Sequence, residues 1–139
     1  MTTLMRTVTA VMLVSGATHI AALRQNPVVV FETEKGAIEV EVDTVHAPAS
    51  AANFLKYVDS GFYAGGSVNR AVRPDNTTRH DVEIQVIQFQ MNPARRADGF
   101  PPIALERTSV TGLRHLDGVL SMARSGLDTA TASFQSPFT

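Results

Sequence analysis

The chain has no cysteine and no tryptophan among its 139 residues, and aromatics make up only 6% of it. The first absence excludes disulfides, thiolate nucleophiles and cysteine-based zinc centres, and it leaves either redox compartment open. A surplus of one charge is missing too: Lys and Arg total 12 against 13 Asp and Glu, for a formal net charge of −1. The only basic cluster is the pair Arg95-Arg96, so no partner of nucleic acid or acidic membrane is expected. No apolar run reaches the ~20 residues of a membrane-spanning helix, and no stable span is expected. The sequence also lacks a Gly-x-Ser-x-Gly elbow, a Gly-x-x-x-x-Gly-Lys loop and a His-Glu-x-x-His helix. His19, His46, His80 and His115 are scattered along the chain and read as solvated side chains rather than metal ligands. Neither a metal nor a cofactor is expected.

What is present fits one ordinary globular domain, with 44% hydrophobic and 18% charged residues. Arg6 precedes a weakly apolar, uncharged stretch from Val8 to Ala22 with small residues at its end. Residues 1–22 therefore read as a secretory signal peptide, with a packed N-terminal helix as the alternative, and the expected location is periplasmic or secreted. The domain is expected over residues 27–139.

Along that domain Val28 to Thr33 is β-branched and aromatic, Glu34-Lys35-Gly36 is a turn, and Ala37 to Asp43 alternates, which predicts a β-hairpin. Ile38, Val40 and Val42 are expected to face a core, with Glu39, Glu41 and Asp43 facing water. Pro48 suits a first helical position, Ala51, Phe54, Leu55 and Val58 recur at helical spacing, and Gly61 closes an amphipathic helix of about three turns. Phe62 and Tyr63 are expected to tuck back under it. Further strands are predicted over 67–72, 82–89 and 118–123, with polar loops over 73–80 and 93–102. Asn76-Thr77-Thr78 matches a glycosylation sequon and marks an exposed loop. The pattern is mainly β, of barrel or sandwich type.

Three stretches in fixed order carry more than fold class: PASAANFLKYVDSGFY at 48–63, the pair Asn69-Arg70, and GLRHLDGVLSMARSGLDTATASF at 112–134. Together they resemble the cyclophilins, a family of peptidyl-prolyl cis-trans isomerases. The resemblance implies an antiparallel β-barrel with a flanking helix, and rotation of X-Pro bonds in proline-containing peptides or unfolded protein clients. It also implies a protein that acts as a monomer when folded.

The family's catalytic arginine follows Phe-His, and the corresponding tripeptide here is Val68-Asn69-Arg70, so the resemblance makes Arg70 the catalytic candidate. Its substrate-binding glutamine maps to Gln88 and a pocket wall to Val86, within Gln85-Val86-Ile87-Gln88-Phe89-Gln90. Here Gln85 replaces an aromatic, and Phe89 and Gln90 replace two glycines. Ala123 and Arg124, in Ser-Met-Ala-Arg, match positions that hold the peptide backbone. Ser133 stands where the family has a groove glutamine, and Gln135 where a phenylalanine floors the proline pocket. The family continues with further strands and pocket residues after this motif, so the domain is expected to be partial, its barrel incomplete towards the C-terminus and its activity weak. A non-catalytic, peptide-binding remnant is the alternative.

Overall fold

A computed structural model of the chain describes residues 26–78, 81 and 84–137. The proposed signal peptide, His19 and His80 lie outside the described residues. The first strands, β1 (Val28–Thr33) and β2 (Gly36–Glu41), pair antiparallel from Val28 opposite Glu41 to Thr33 opposite Gly36. Glu34 and Lys35 alone make the turn, and Gly36 takes a φ of 119° there, a region side-chain-bearing residues avoid. The Thr33 hydroxyl donates to the Gly36 carbonyl at 2.6 Å and accepts from the Lys35 N–H at 3.1 Å. Val40 and Val42 are buried as the alternation predicts, whereas Ile38, nearer the turn, stays 39% exposed.

Helix α1 (Pro48–Asp59) begins at its proline and buries Ala51, Asn53, Phe54 and Tyr57. Leu55 and Val58 are half-buried against the same core. Tyr57, which helical spacing did not single out, is fully buried because its hydroxyl has partners: it donates to the Phe100 carbonyl and accepts from the Phe100 N–H at 2.8 Å. Phe62 follows the helix and packs edge-on against Tyr57 at 5.0 Å. The turn beyond Tyr63 needs Gly66, since a Cβ there would lie 2.6 Å from the Gln90 carbonyl oxygen.

The second sheet holds β3 (Ser67–Val72), β4 (Val86–Gln90), β5 (Ser121–Met122) and β6 (Phe134–Pro137), in the order β3-β4-β6-β5 and antiparallel throughout. Its inner face presents Phe89, Phe134 and Met122 to α1 and the hairpin. Phe134 is at the centre: its ring stacks on Phe89 at 4.9 Å and meets Phe31, Phe54 and Tyr63 within 5.5 Å. The domain is thus mainly β, with antiparallel sheets and few helices. Among the described residues the backbone ladders form two sheets and do not close into one ring.

Several boundaries differ from the sequence reading. The fourth strand starts at Val86, and Ile84 and Gln85 before it are unpaired. Only Ser121 and Met122 of the 118–123 segment form the strand, flanked by single backbone bonds from the Gly118 N–H to the Pro137 carbonyl and from the Ala123 N–H to the Ser133 carbonyl, while the Val119 N–H closes a turn onto the Leu116 carbonyl. Residues 93–102, read as a loop, contain a 3-10 helix (Pro93–Asp98) that Asn92 caps by accepting from the Ala94 N–H. Its arginines are not idle, since Arg95 lies 3.8 Å above the Phe62 ring and donates to the Ser60 carbonyl. A one-turn helix α2 (Thr108–Thr111) went unread for want of any repeat. Strand β6 was hidden by its polar Gln-Ser-Pro, and it sits inside the sheet between β4 and β5.

Candidate active site

The ladder of the four-stranded sheet brings Arg70, Val86 and Gln88, three of the six predicted site residues, together on its outer face. Residues directly opposite one another in an antiparallel ladder share a face, and the register joins Arg70 to Gln88, Gln88 to Gln135 and Gln135 to Ser121. One row of polar side chains therefore crosses all four strands. The neighbouring row runs from Val72 through Val86 to Pro137 and is apolar. The register slips between Val68 and Arg70, so Asn69 is the extra residue of a β-bulge, a device that re-aims side chains beside functional sites.

Arg70 is exposed, and its guanidinium makes no hydrogen bond or ion pair among the described residues. Its neighbour Arg73 differs, its guanidinium pairing with Asp75 at 3.2 Å. Asn76 is also engaged, since its amide donates to the Ala71 carbonyl and its oxygen accepts from the Arg73 N–H. These contacts fold the sequon's loop back on the end of β3.

Beside the polar row lies an open hollow of about 280 Å³. Ile84, Gln85, Val86, His115, Ser121, Gln135 and Pro137 line it. His115, read from sequence as a solvated loop residue, has its Nδ1 2.5 Å from the Ser121 hydroxyl. The only hint in the sequence was Asp117-Gly118, a turn signal that folds the loop back onto β5. Gln135 was noted as a departure from the family, but its place beside Gln88 could not be read before β6 was known.

Of the remaining predicted residues, Ala123 and Arg124 follow the edge strand β5 and Ser133 precedes the interior strand β6. The Ala123 N–H already donates to the Ser133 carbonyl at 2.9 Å. By the alternation of an antiparallel ladder, the N–H and C=O of Met122, rather than those of Ala123, then face the free edge of β5. Arg124 is exposed and donates to the Gly126 carbonyl at 3.3 Å, and Ser133 is half-buried. Ala123 and Arg124 are therefore separated from Arg70 by the width of the sheet, whereas Ser133 directly precedes β6, two strands from β3. Among the described residues no group of three or more His, Asp or Glu side chains could hold a metal ion.

The model of the family described as cyclophilin type peptidyl-prolyl cis-trans isomerase/CLD matches residues 28–139. The chain belongs to the cyclophilin family. Among its relatives, peptidyl-prolyl cis-trans isomerase A of Dickeya dadantii is 36% identical over 107 residues, covering 76% of this chain and 51% of that protein. A peptidyl-prolyl cis-trans isomerase of Acinetobacter baylyi is 34% identical over 110 residues, covering 78% and 53%. One of Synechococcus elongatus is 30% identical over 105 residues, covering 76% and 64%. The chain thus spans about half the length of the first two relatives. Cyclophilin membership agrees with the mainly β, antiparallel architecture and with a single helix of three turns packed beside it.

Proposed function

We propose that this cyclophilin catalyses cis-trans rotation of X-Pro bonds in proline-containing peptides and unfolded protein clients, on the outer face of its four-stranded sheet. The observation that carries the reading is that Arg70, whose side chain has no partner among the described residues, lies opposite Gln88 across β3 and β4. Rotation about an X-Pro bond meets a barrier of ~18–20 kcal/mol, and in the twisted amide the prolyl nitrogen regains a lone pair. A cation aimed at that nitrogen stabilises the twisted state and not the planar ones, which is what acceleration requires. Arginine suits this role because it keeps its charge at any physiological pH and offers five donors in a planar fork. Gln88, opposite it, can hold the peptide backbone through its carboxamide, and Val86 supplies apolar surface two residues along the same strand. Family likeness assigns Ala123, Arg124 and Ser133 to the substrate groove as well.

One charge-assisted hydrogen bond is worth roughly 1.5–3 kcal/mol, so replacing Arg70 by Ala should lower kcat/KM by roughly one to two decades. Exchange spectroscopy on an Ala-Pro peptide reads this directly. Equal rates for the parent chain and a folded Arg70→Ala variant would refute the reading. A periplasmic or secreted location is proposed as well, supported by the sequence of residues 1–22. Among the described residues no helix is long and apolar enough to cross a membrane.

A further inference from the structure

Strand β3 ends the four-stranded sheet, with β4 on one side and no strand on the other among the described residues. Along an antiparallel strand the N–H and C=O of successive residues point to opposite sides. The Asn76 carboxamide donates to the Ala71 carbonyl at 3.0 Å and accepts from the Arg73 N–H at 2.7 Å. The backbone groups of Ala71 and Arg73 therefore face the free edge, and those of Arg70 and Val72 face β4. Carried across β4 and β6, the same alternation turns Met122 to the opposite edge, in agreement with the bond between Ala123 and Ser133.

A neighbouring strand would set a peptide group against these same atoms, donating to the Ala71 carbonyl and accepting from the Arg73 N–H. An asparagine carboxamide carries the donor and the acceptor of a peptide group on one planar unit. Asn76 thus stands where the backbone of an added strand would lie. A tight turn puts it there: the Asn76 N–H donates to the Arg73 carbonyl at 3.1 Å, Pro74 suits the second turn position, and the Arg73 guanidinium pairs with Asp75 at 3.2 Å. One exposed residue of the chain's own loop therefore satisfies three groups of the free edge.

An unpaired strand edge is a template for another chain. The same strand of a second copy fits this one: a two-fold axis through Ala71 sets Ala71 opposite Ala71, Arg70 opposite Val72 and Asn69 opposite Arg73, so no like charges face each other. Strand β3 holds neither the proline nor the lysine that commonly blunts such an edge, and its bulge, between Val68 and Arg70, spoils only its first half. The stretch left open to pairing is the one that Asn76 covers. We infer that the free edge of β3 is a latent interface for β3 of a second copy, and that the Asn76 carboxamide keeps it closed.

The unaltered full chain gives the first reading. Its Arg73 amide should exchange with deuterium roughly tenfold more slowly than the same amide in an unstructured peptide, the value of about one net hydrogen bond. Sedimentation velocity over a range of concentrations gives the second. Asn76→Ala should shift towards a species of twice the mass as concentration rises, while the parent does not. Adding Ala71→Pro should reverse the shift, because the ring removes an N–H that points away from β4 and costs no ladder bond. Asn76→Asp sets a carboxylate against the Ala71 carbonyl, and it supplies the same comparison if the alanine variant does not fold. An unprotected Arg73 amide in the parent, equal masses for the parent and a folded Asn76 variant, or association that survives Ala71→Pro would overturn the inference.

Discussion

Glu106 shows how a single carboxylate can stand in for a missing helix cap. Ala47 at the N-cap of α1 has no side-chain oxygen to offer, so the first amides of the helix are met from 57 residues away in sequence: Glu106 accepts from the Ala49 N–H at 2.9 Å and the Ser50 N–H at 2.7 Å. Burial pushes the Glu106 carboxyl upward, but the hydrogen bonds from Ala49 and Ser50 outweigh it and leave the group below its ordinary value of 4.5. A carboxylate depressed in the folded state stabilises above its unfolded pKa, and that contribution disappears as pH falls through the folded one. Glu106→Ala should therefore cost about 1 kcal/mol near neutral pH, the usual value of a cap. Urea unfolding at about pH 7 and about pH 3 checks this, since the gap between parent and variant should close at the lower pH. A gap that persists would show that the side chain acts by packing instead. Asp43 is depressed in the same sense, first by the His46 N–H and then by the His46 ring at 2.7 Å. Tyr63 moves the other way, its hydroxyl raised chiefly by burial while it donates to the Ala132 carbonyl at 2.7 Å.

At the scale of elements, β6 holds the sheet together, since among the described residues it is the only partner of β5 and one of two partners of β4. Its Phe134 is 3% exposed and touches four other rings. Removing that ring should cost about 3–5 kcal/mol, a large share of the ~5–15 kcal/mol that holds a domain. Thermal unfolding of Phe134→Ala should thus show a strongly lowered Tm or no cooperative transition, and a loss under about 1 kcal/mol would contradict a central place for this strand. The elements legible in the sequence were those whose pattern is local: the hairpin with its glycine, the helix with its proline, and β3. What escaped is set by pairing at a distance. Gln135-Ser136-Pro137 has no strand signature of its own and becomes a strand because β4 and β5 supply partners on both sides. The cap from Glu106 and the His115–Ser121 contact escaped for the same reason. Asn53 reads as polar surface on the helix, yet it is buried with its amide on the Thr131 carbonyl at 2.6 Å.

At the scale of the whole molecule, the candidate site was legible by likeness and only partly by physics. Nothing local marks Arg70, Gln88 or Ser133 as functional, and motif order brought them out. The register then separates them, placing Arg70 and Gln88 face to face, Ser133 at the start of the interior strand β6, and Ala123 and Arg124 at the far side of the sheet. The proposed location is a property of the full chain as well. If residues 1–22 direct export, protein recovered from the periplasm of a bacterial host should have lost about 22 residues by intact mass, and recovery with Met1 in place would contradict the proposal. The central claim is that client peptides lie on the outer face of the four-stranded sheet beside Arg70. Titrating an Ala-Pro peptide into labelled protein and following amide and side-chain shifts by NMR tests it most directly. The account predicts changes concentrated on Arg70, Val86, Gln88 and Gln135, with exchange broadening that disappears in Arg70→Ala. Changes confined to the β1 and β2 hairpin or to the free edge of β5 would contradict it.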